Sequence, residues 1–247
     1  MMRMRPPRVR RLVQLYIGLV LYGVSASMLL LAGLGVDPWD VFHQGLSRRL
    51  GLGVGTWAII VGVAVLLLWF PLRQRPGFGT LSNVVVVGLV IDVVLATVPS
   101  VHGLAARYAV MVSGVLLNGI ATGAYIGARL GPGPRDGLML GLAARGHSIR
   151  VVRTCIELTV LLTGWLLGGT VGIGTVVYAL GIGPIAHVSI PLLAIKSSGG
   201  TMAAAPADAT APINPTAPTD ATAPINQTAP TDATAPTDAT APTGRAA

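Results

Sequence analysis

The feature that most constrains this chain is a series of long apolar runs almost empty of charge. They fall near Leu12–Gly33, Val54–Leu72, Thr80–Val98, Tyr108–Ala128, Val151–Leu167 and Thr175–Ile195. At 1.5 Å per residue, runs of about 17–22 residues cross or nearly cross a hydrocarbon layer of ~30 Å. Clustered glycine between Gly168 and Gly174 disfavours helix and separates the last two runs. Only 11% of the residues are charged and 52% are hydrophobic, whereas a soluble domain carries about a quarter charged residues. Four of the nine acidic residues (Asp208, Asp220, Asp232 and Asp238) lie near the C-terminus, leaving Asp37, Asp40, Asp92, Asp136 and Glu157 for the body. The pattern predicts an all-α polytopic membrane protein with six transmembrane helices and the lipid bilayer as its surroundings.

The formal net charge of +8 reads as a topology signal and not as a nucleic-acid surface, so no nucleic-acid partner is expected. The single Cys155 excludes an intramolecular disulfide and a CxxC metal site. A basic start followed by an apolar stretch resembles a signal peptide. However, the stretch runs on to Val36 and has a counterpart later in the chain, so a retained first span is expected.

That counterpart is part of a duplication. At an offset of 96, Leu34, Gly35, Pro38, Asp40, Gly45, Leu46 and Arg49 recur as Leu130, Gly131, Pro134, Asp136, Gly141, Leu142 and Arg145. Gly18 matches Gly114, and Tyr22-Gly23 matches Asn118-Gly119. After one deleted residue, "GFGT" from Gly77 matches "GIGT" from Gly172, Gly88 matches Gly183, and Asp92 matches His187. Each copy holds three spans, an odd number, so the second copy enters the membrane upside down and the repeats are inverted. With the N-terminus inside, thirteen Arg and Lys residues up to Lys196 fall on the cytoplasmic side and only Arg48, Arg49 and Arg107 outside, the bias that cytoplasmic loops show.

These boundaries divide the chain into a basic cytoplasmic N-terminus (1–11), membrane repeat 1 (12–99), a linker (100–107), membrane repeat 2 (108–196) and a tail (197–247). The tail repeats "APTDAT" and cannot bury apolar surface, so it is expected to be disordered. Six spans place both termini in the cytoplasm.

Between the first and second spans of each repeat, a proline stands two residues before an aspartate. Pro38 and Pro134 suit a first helical turn, where the missing N–H costs nothing. Asp40 and Asp136 then meet the positive end of the helix dipole, and Asp37 can serve as an N-cap. Each repeat thus gains a short extra helix after its first span. Three roles stay open for it: a plain helix start, a re-entrant half-helix beside a polar cavity, or a helix lying at the interface. In the first copy Trp39, Phe42, Leu46 and Leu50 share one face, and Asp40, Gln44, Ser47 and Arg48 the other, as at an interface. Gly119, Gly123 and Gly127, at four-residue spacing, predict close helix packing in lipid. Asp92 is the one acidic residue well inside an apolar run, and its burial at the bilayer centre demands a partner or a proton. Its alignment with His187 makes Asp92, His187, Asp40 and Asp136 the candidates for one central substrate or ion site.

The stretches "GLGVDPWDVFHQGLS", "GLGVGTWAIIVGVAVLLL", "PGFGTLSNVVVVGLVIDVVL" and "GPGPRDGLMLGL" resemble the YczE-like branch of the YczE/YyaS/YitT bacterial membrane proteins. That resemblance covers Gly18 to Ile195 and implies an inner-membrane protein of five or six helices, without implying a reaction. Two functions fit. One is a small-molecule or ion transporter with a site between inverted repeats, compatible with a homo-oligomer. The alternative is a non-transporting accessory or scaffold protein that supports a partner protein or a biosynthetic complex. An enzyme is not expected, because HExxH, GxSxG and clustered His/Asp sets are missing and His43, His102, His147 and His187 are scattered. No catalytic residue, metal or cofactor is therefore assigned.

Overall fold

The computed structural model describes residues 8–195; the tail falls outside them, as do the first seven residues. Among the described residues the chain forms eight α-helices and no strand. They are α1 (Arg8–Ala32), α2 (Pro38–Leu50), α3 (Val54–Trp69), α4 (Phe78–Thr97), α5 (Leu104–Gly127), α6 (Pro134–Ala143), α7 (Ile149–Leu166) and α8 (Ile173–Leu193).

Four of these, α1, α4, α5 and α8, are long and apolar enough to cross a membrane. The count rises to five if α2 and α3, bent by 113° at their junction, together make one span. The six expected spans are therefore not all matched by length and composition. At 16 residues α3 reaches only about 24 Å, and α7 carries Arg150, Arg153 and Glu157 within 18 residues.

The packing is that of a protein in lipid. Large apolar side chains point outward in helical stripes, such as Leu81, Val85, Leu89 and Val93 on α4 and Val112, Leu116 and Ile120 on α5. The inner faces are small or polar instead, with Ser25, Ser27, Thr80 and Asn118 fully buried. Lipid tails give no hydrophobic drive for helix association, so close approach of small residues and internal hydrogen bonds must hold the bundle. Helix α5 sits at the centre between α1 and α8. The Asn118 amide bridges these three helices, donating to Ser25 Oγ at 2.9 Å and accepting from the Tyr178 hydroxyl at 3.1 Å. Gly119, Gly123 and Gly127 all face α8, where an added Cβ would meet Ile185, Ser189 and Leu193. The Ser189 hydroxyl donates to the Gly119 carbonyl at 2.7 Å. On the other side α4 lies along α1 and α3, whereas α7 barely touches α8.

The loops before α2 and α6 dock in the same way on opposite halves. The Gly174 N–H donates to the Leu34 carbonyl at 2.8 Å, and the Gly79 N–H to the Leu130 carbonyl at 2.9 Å. Gly35 and Gly131, with φ of 111° and 134°, bring their backbones against Thr175 and Thr80, where a Cβ would collide. Each loop is thus pinned to the start of the last helix of the other half, which orients the short helix that follows.

Gly123→Ala should lower the thermal unfolding midpoint in detergent, by an overpacking cost of about 1–3 kcal/mol. Gly183→Ala, at a position with nothing within 4 Å, should leave the midpoint unchanged or raise it.

Candidate functional site

The two proline-aspartate segments converge. Asp37 caps α2, its Oδ1 accepting from the Trp39 and Asp40 N–H groups at 2.8 and 2.9 Å. Pro38 occupies the first turn. Gly133 starts α6, with Pro134 in its first turn and no side-chain cap. Between these two helix starts stands Arg135, with guanidinium nitrogens 3.6 Å from Asp37 Oδ1 and 3.7 Å from Asp40 Oδ1. The same guanidinium lies 5.0 Å from the Trp39 ring centre, a cation–π distance. One turn beyond Asp40, His43 Nδ1 sits 3.2 Å from Asp40 Oδ1. Asp37, Asp40 and His43 are each at most 2% exposed.

From the second half, the Tyr125 hydroxyl donates to Asp136 Oδ2 at 3.3 Å. The Trp69 indole N–H donates to the Pro134 carbonyl at 3.0 Å, holding the α6 start against α3. Tyr22 of α1 meets Tyr125 edge to face at 5.9 Å. Together Tyr22, Trp39, His43, Tyr125, Arg135 and Asp136 form the polar side of a cavity of about 90 Å³, with α3 and α4 closing the rest. That is room for several waters or a compact solute. The Asp37 Oδ2, the Asp40 Oδ2 and the Trp39 indole N–H are buried without a partner among the described residues. Such groups are rare and costly.

Of the candidate residues, Asp40 and Asp136 are brought to one centre, together with Pro38, Trp39 and Pro134. Asp92 and His187 are not, which corrects the expectation of a shared cavity lined by both. Asp92 reaches across from α4 to the start of α3, accepting from the Gly55 N–H at 2.7 Å and the Thr56 hydroxyl at 2.6 Å. A helix N-terminus has free backbone donors that a carboxylate satisfies, so Asp92 serves α3 as a cap from another helix. Because α7 and α8 stay apart, His187 has no matching helix start to meet and lies on the exposed side of α8.

Two further findings concern α2 and α6. The polar face of α2 is buried at Asp40, half-buried at Gln44 and exposed at Arg48. Gln44 accepts from the Thr170 N–H at 2.6 Å, and Arg48 donates to the Gly168 carbonyl and the Thr170 hydroxyl. Arg135, counted with the cytoplasmic charges, is engaged inside with two carboxylates. Sequence reasoning also missed His43, Tyr22 and Tyr125 as parts of the site. One signal was present: Arg135 stands at the repeat position of Trp39, next to the repeated aspartate.

A family model described as "Family of unknown function (DUF6198)" matches residues 9–191. The chain belongs to that family. It is 38% identical to an uncharacterized protein of Haemophilus influenzae, over 73% of this chain and 83% of the relative. It is 35% identical to the uncharacterized membrane protein YczE of Bacillus subtilis, over 76% and 89% of the two chains. To the uncharacterized protein YyaS of Bacillus subtilis it is 28% identical, over 72% and 90%. No solved structure matches the chain. The family match at residues 9–191 spans nearly all of the helical body.

Arg135→Met should strand two buried carboxylates, with a stability loss of about 3–5 kcal/mol read as a lower unfolding midpoint or failed accumulation. Adding Asp40→Asn should restore part of that loss. A double variant no more stable than the single one would show that the ion pair is not what Arg135 supplies.

Proposed function

We propose that this protein is an inner-membrane transporter for a small molecule or ion, with its site in the cavity between the two short helices. What carries the proposal is a cavity inside a membrane bundle lined by Arg135 and Asp136, with Asp37 and Asp40 paired to Arg135 behind it. Ionisable groups at such depth are costly, and where they are retained they mark substrate and ion paths. The Trp39 indole N–H and the Arg135 guanidinium offer donors, and Asp136 an acceptor, to a compact polar solute. In this proposal no residue is catalytic, and no cofactor takes part.

The architecture proposed is six spans in two inverted repeats, with α3 and α7 as short spans completing each half. The matched hydrogen bonds at Leu34 and Leu130 and the positive φ of Gly35 and Gly131 favour it. So does the bend between α2 and α3, which suits a broken span beside a polar site. Both termini would then be cytoplasmic. Without Arg135, twelve Arg and Lys residues up to Lys196 remain inside against three outside.

Two measurements test this. In a Cys155→Ser background, single cysteines at Leu50 and Ala144, both exposed, should label from opposite sides of intact cells. Labelling from one side overturns the inverted orientation. The full chain in liposomes, screened against compact cations, amines and zwitterions, should show solute-dependent flux that Asp136→Asn abolishes. A folded protein passing none of these would favour the scaffold role.

A further inference from the structure

The charges within the Asp37–Asp40–Arg135 cluster do not balance. Asp136 accepts from the Tyr125 hydroxyl and is not among the carboxylates that Arg135 pairs with. Asp37 and Asp40 share the single guanidinium of Arg135, which approaches one oxygen of each. The other oxygen of each is buried and has no partner among the described residues, and both side chains are 3% exposed. Among the described residues, the other titratable groups that act on the pair are Tyr22 of α1, Tyr178 of α8 and His43 of α2 itself. None of them brings a fixed positive charge. Two ionised carboxylates against one guanidinium leave one negative charge uncompensated, and a bundle surrounded by hydrocarbon tolerates that poorly.

One proton removes the excess. It also supplies the donor that the orphaned oxygens lack, as when two adjacent carboxyl groups hold a proton between them. A metal ion fits less well. Hard cations take about six oxygen ligands, whereas two free carboxylate oxygens stand here. Among the described residues no group of three or more His, Cys, Asp and Glu side chains is placed to hold a metal. The pair does not itself line the cavity, but His43 does, with its Nδ1 on Asp40 Oδ1 at 3.2 Å. An imidazole with one nitrogen on a carboxylate and the rest of its ring at a cavity wall can take a proton on one side and give one up on the other.

We propose that Asp37 and Asp40 hold one proton between them and that His43 passes it to and from the cavity, which makes the proton the coupling ion of the site. This rests on the transport function proposed above for its purpose, but not for its chemistry. In the transfer, His43 accepts a proton on its cavity side and releases its Nδ1 proton to the ionised Asp40–Asp37 pair. The reverse sequence discharges the pair. Proton number and charge are conserved at each step, and no other reactant is needed.

The test is infrared difference spectroscopy of the purified full chain across a pH titration, following the carbonyl stretch of protonated carboxyl groups. The wild type should show one such band that changes with pH. Asp40→Asn and Asp37→Asn should each abolish it, and Asp40→Glu should keep it at a shifted frequency, which covers a failure of either Asn variant to fold. His43→Gln, which keeps a hydrogen-bonding side chain without a titrating group, should retain the band and slow its response to a pH jump by on the order of a hundredfold. A wild type without a pH-dependent band overturns the proposal. So does a band that survives in both Asn variants, or an unchanged rate in His43→Gln. The readout needs no transported solute: a titrating band without flux counts against the transport function alone, and flux without the band against the shared proton alone.

Discussion

The site depends on one guanidinium placed between two carboxylates where water has little access. Arg135 comes from α6 and its partners from the start of α2, so the ion pairs are one of the links between the two halves of the molecule. In water such a pairing would contribute little. Inside a bundle it becomes a constraint, because removing one member leaves the others charged and buried. The positions of α2 and α6, and through them the walls of the cavity, follow from satisfying those charges. Trp39 stacks on the guanidinium and Trp69 holds the Pro134 carbonyl, so both aromatic rings keep Arg135 in register.

What lets two helix starts meet at that point is glycine. Gly35 and Gly131 adopt backbone angles that side chains resist, and in doing so press each loop onto the first turn of α8 or α4. The hydrogen bonds at Leu34 and Leu130 then complete the dock. The glycine face of α5 performs the related task along the bundle axis, bringing α5 and α8 together where lipid offers no hydrophobic incentive to do so. Function and packing therefore use the same residue type for different reasons: conformational freedom in the loops, absence of a side chain in the helices.

The two halves are not equivalent despite their matched sequences. On one side α4 packs along α3 and gives it Asp92 as a cap; on the other α8 stands away from α7 and His187 faces outward. Position in a repeat thus predicts where a residue sits on its helix but not what that helix touches. Asp92 looked like an intramembrane charge in search of a function, and the free N–H groups of a neighbouring helix claim it instead. Arg135 looked like an ordinary loop charge, and two buried carboxylates claim that.

By itself the sequence determined the all-helical membrane character, the short helices after Pro38 and Pro134, and the membership in a family of membrane proteins. Those follow from local properties: apolar run length, proline and aspartate at helix starts, and a repeated order of residues. Tertiary structure alone decided which aspartates share a centre, and that Arg135 joins them. The physical reason is that a charge's role in a low-dielectric interior is set by its nearest opposite charge or free donor. Thr56 lies 36 positions from Asp92, and Arg135 lies 98 from Asp37, beyond the reach of any local pattern.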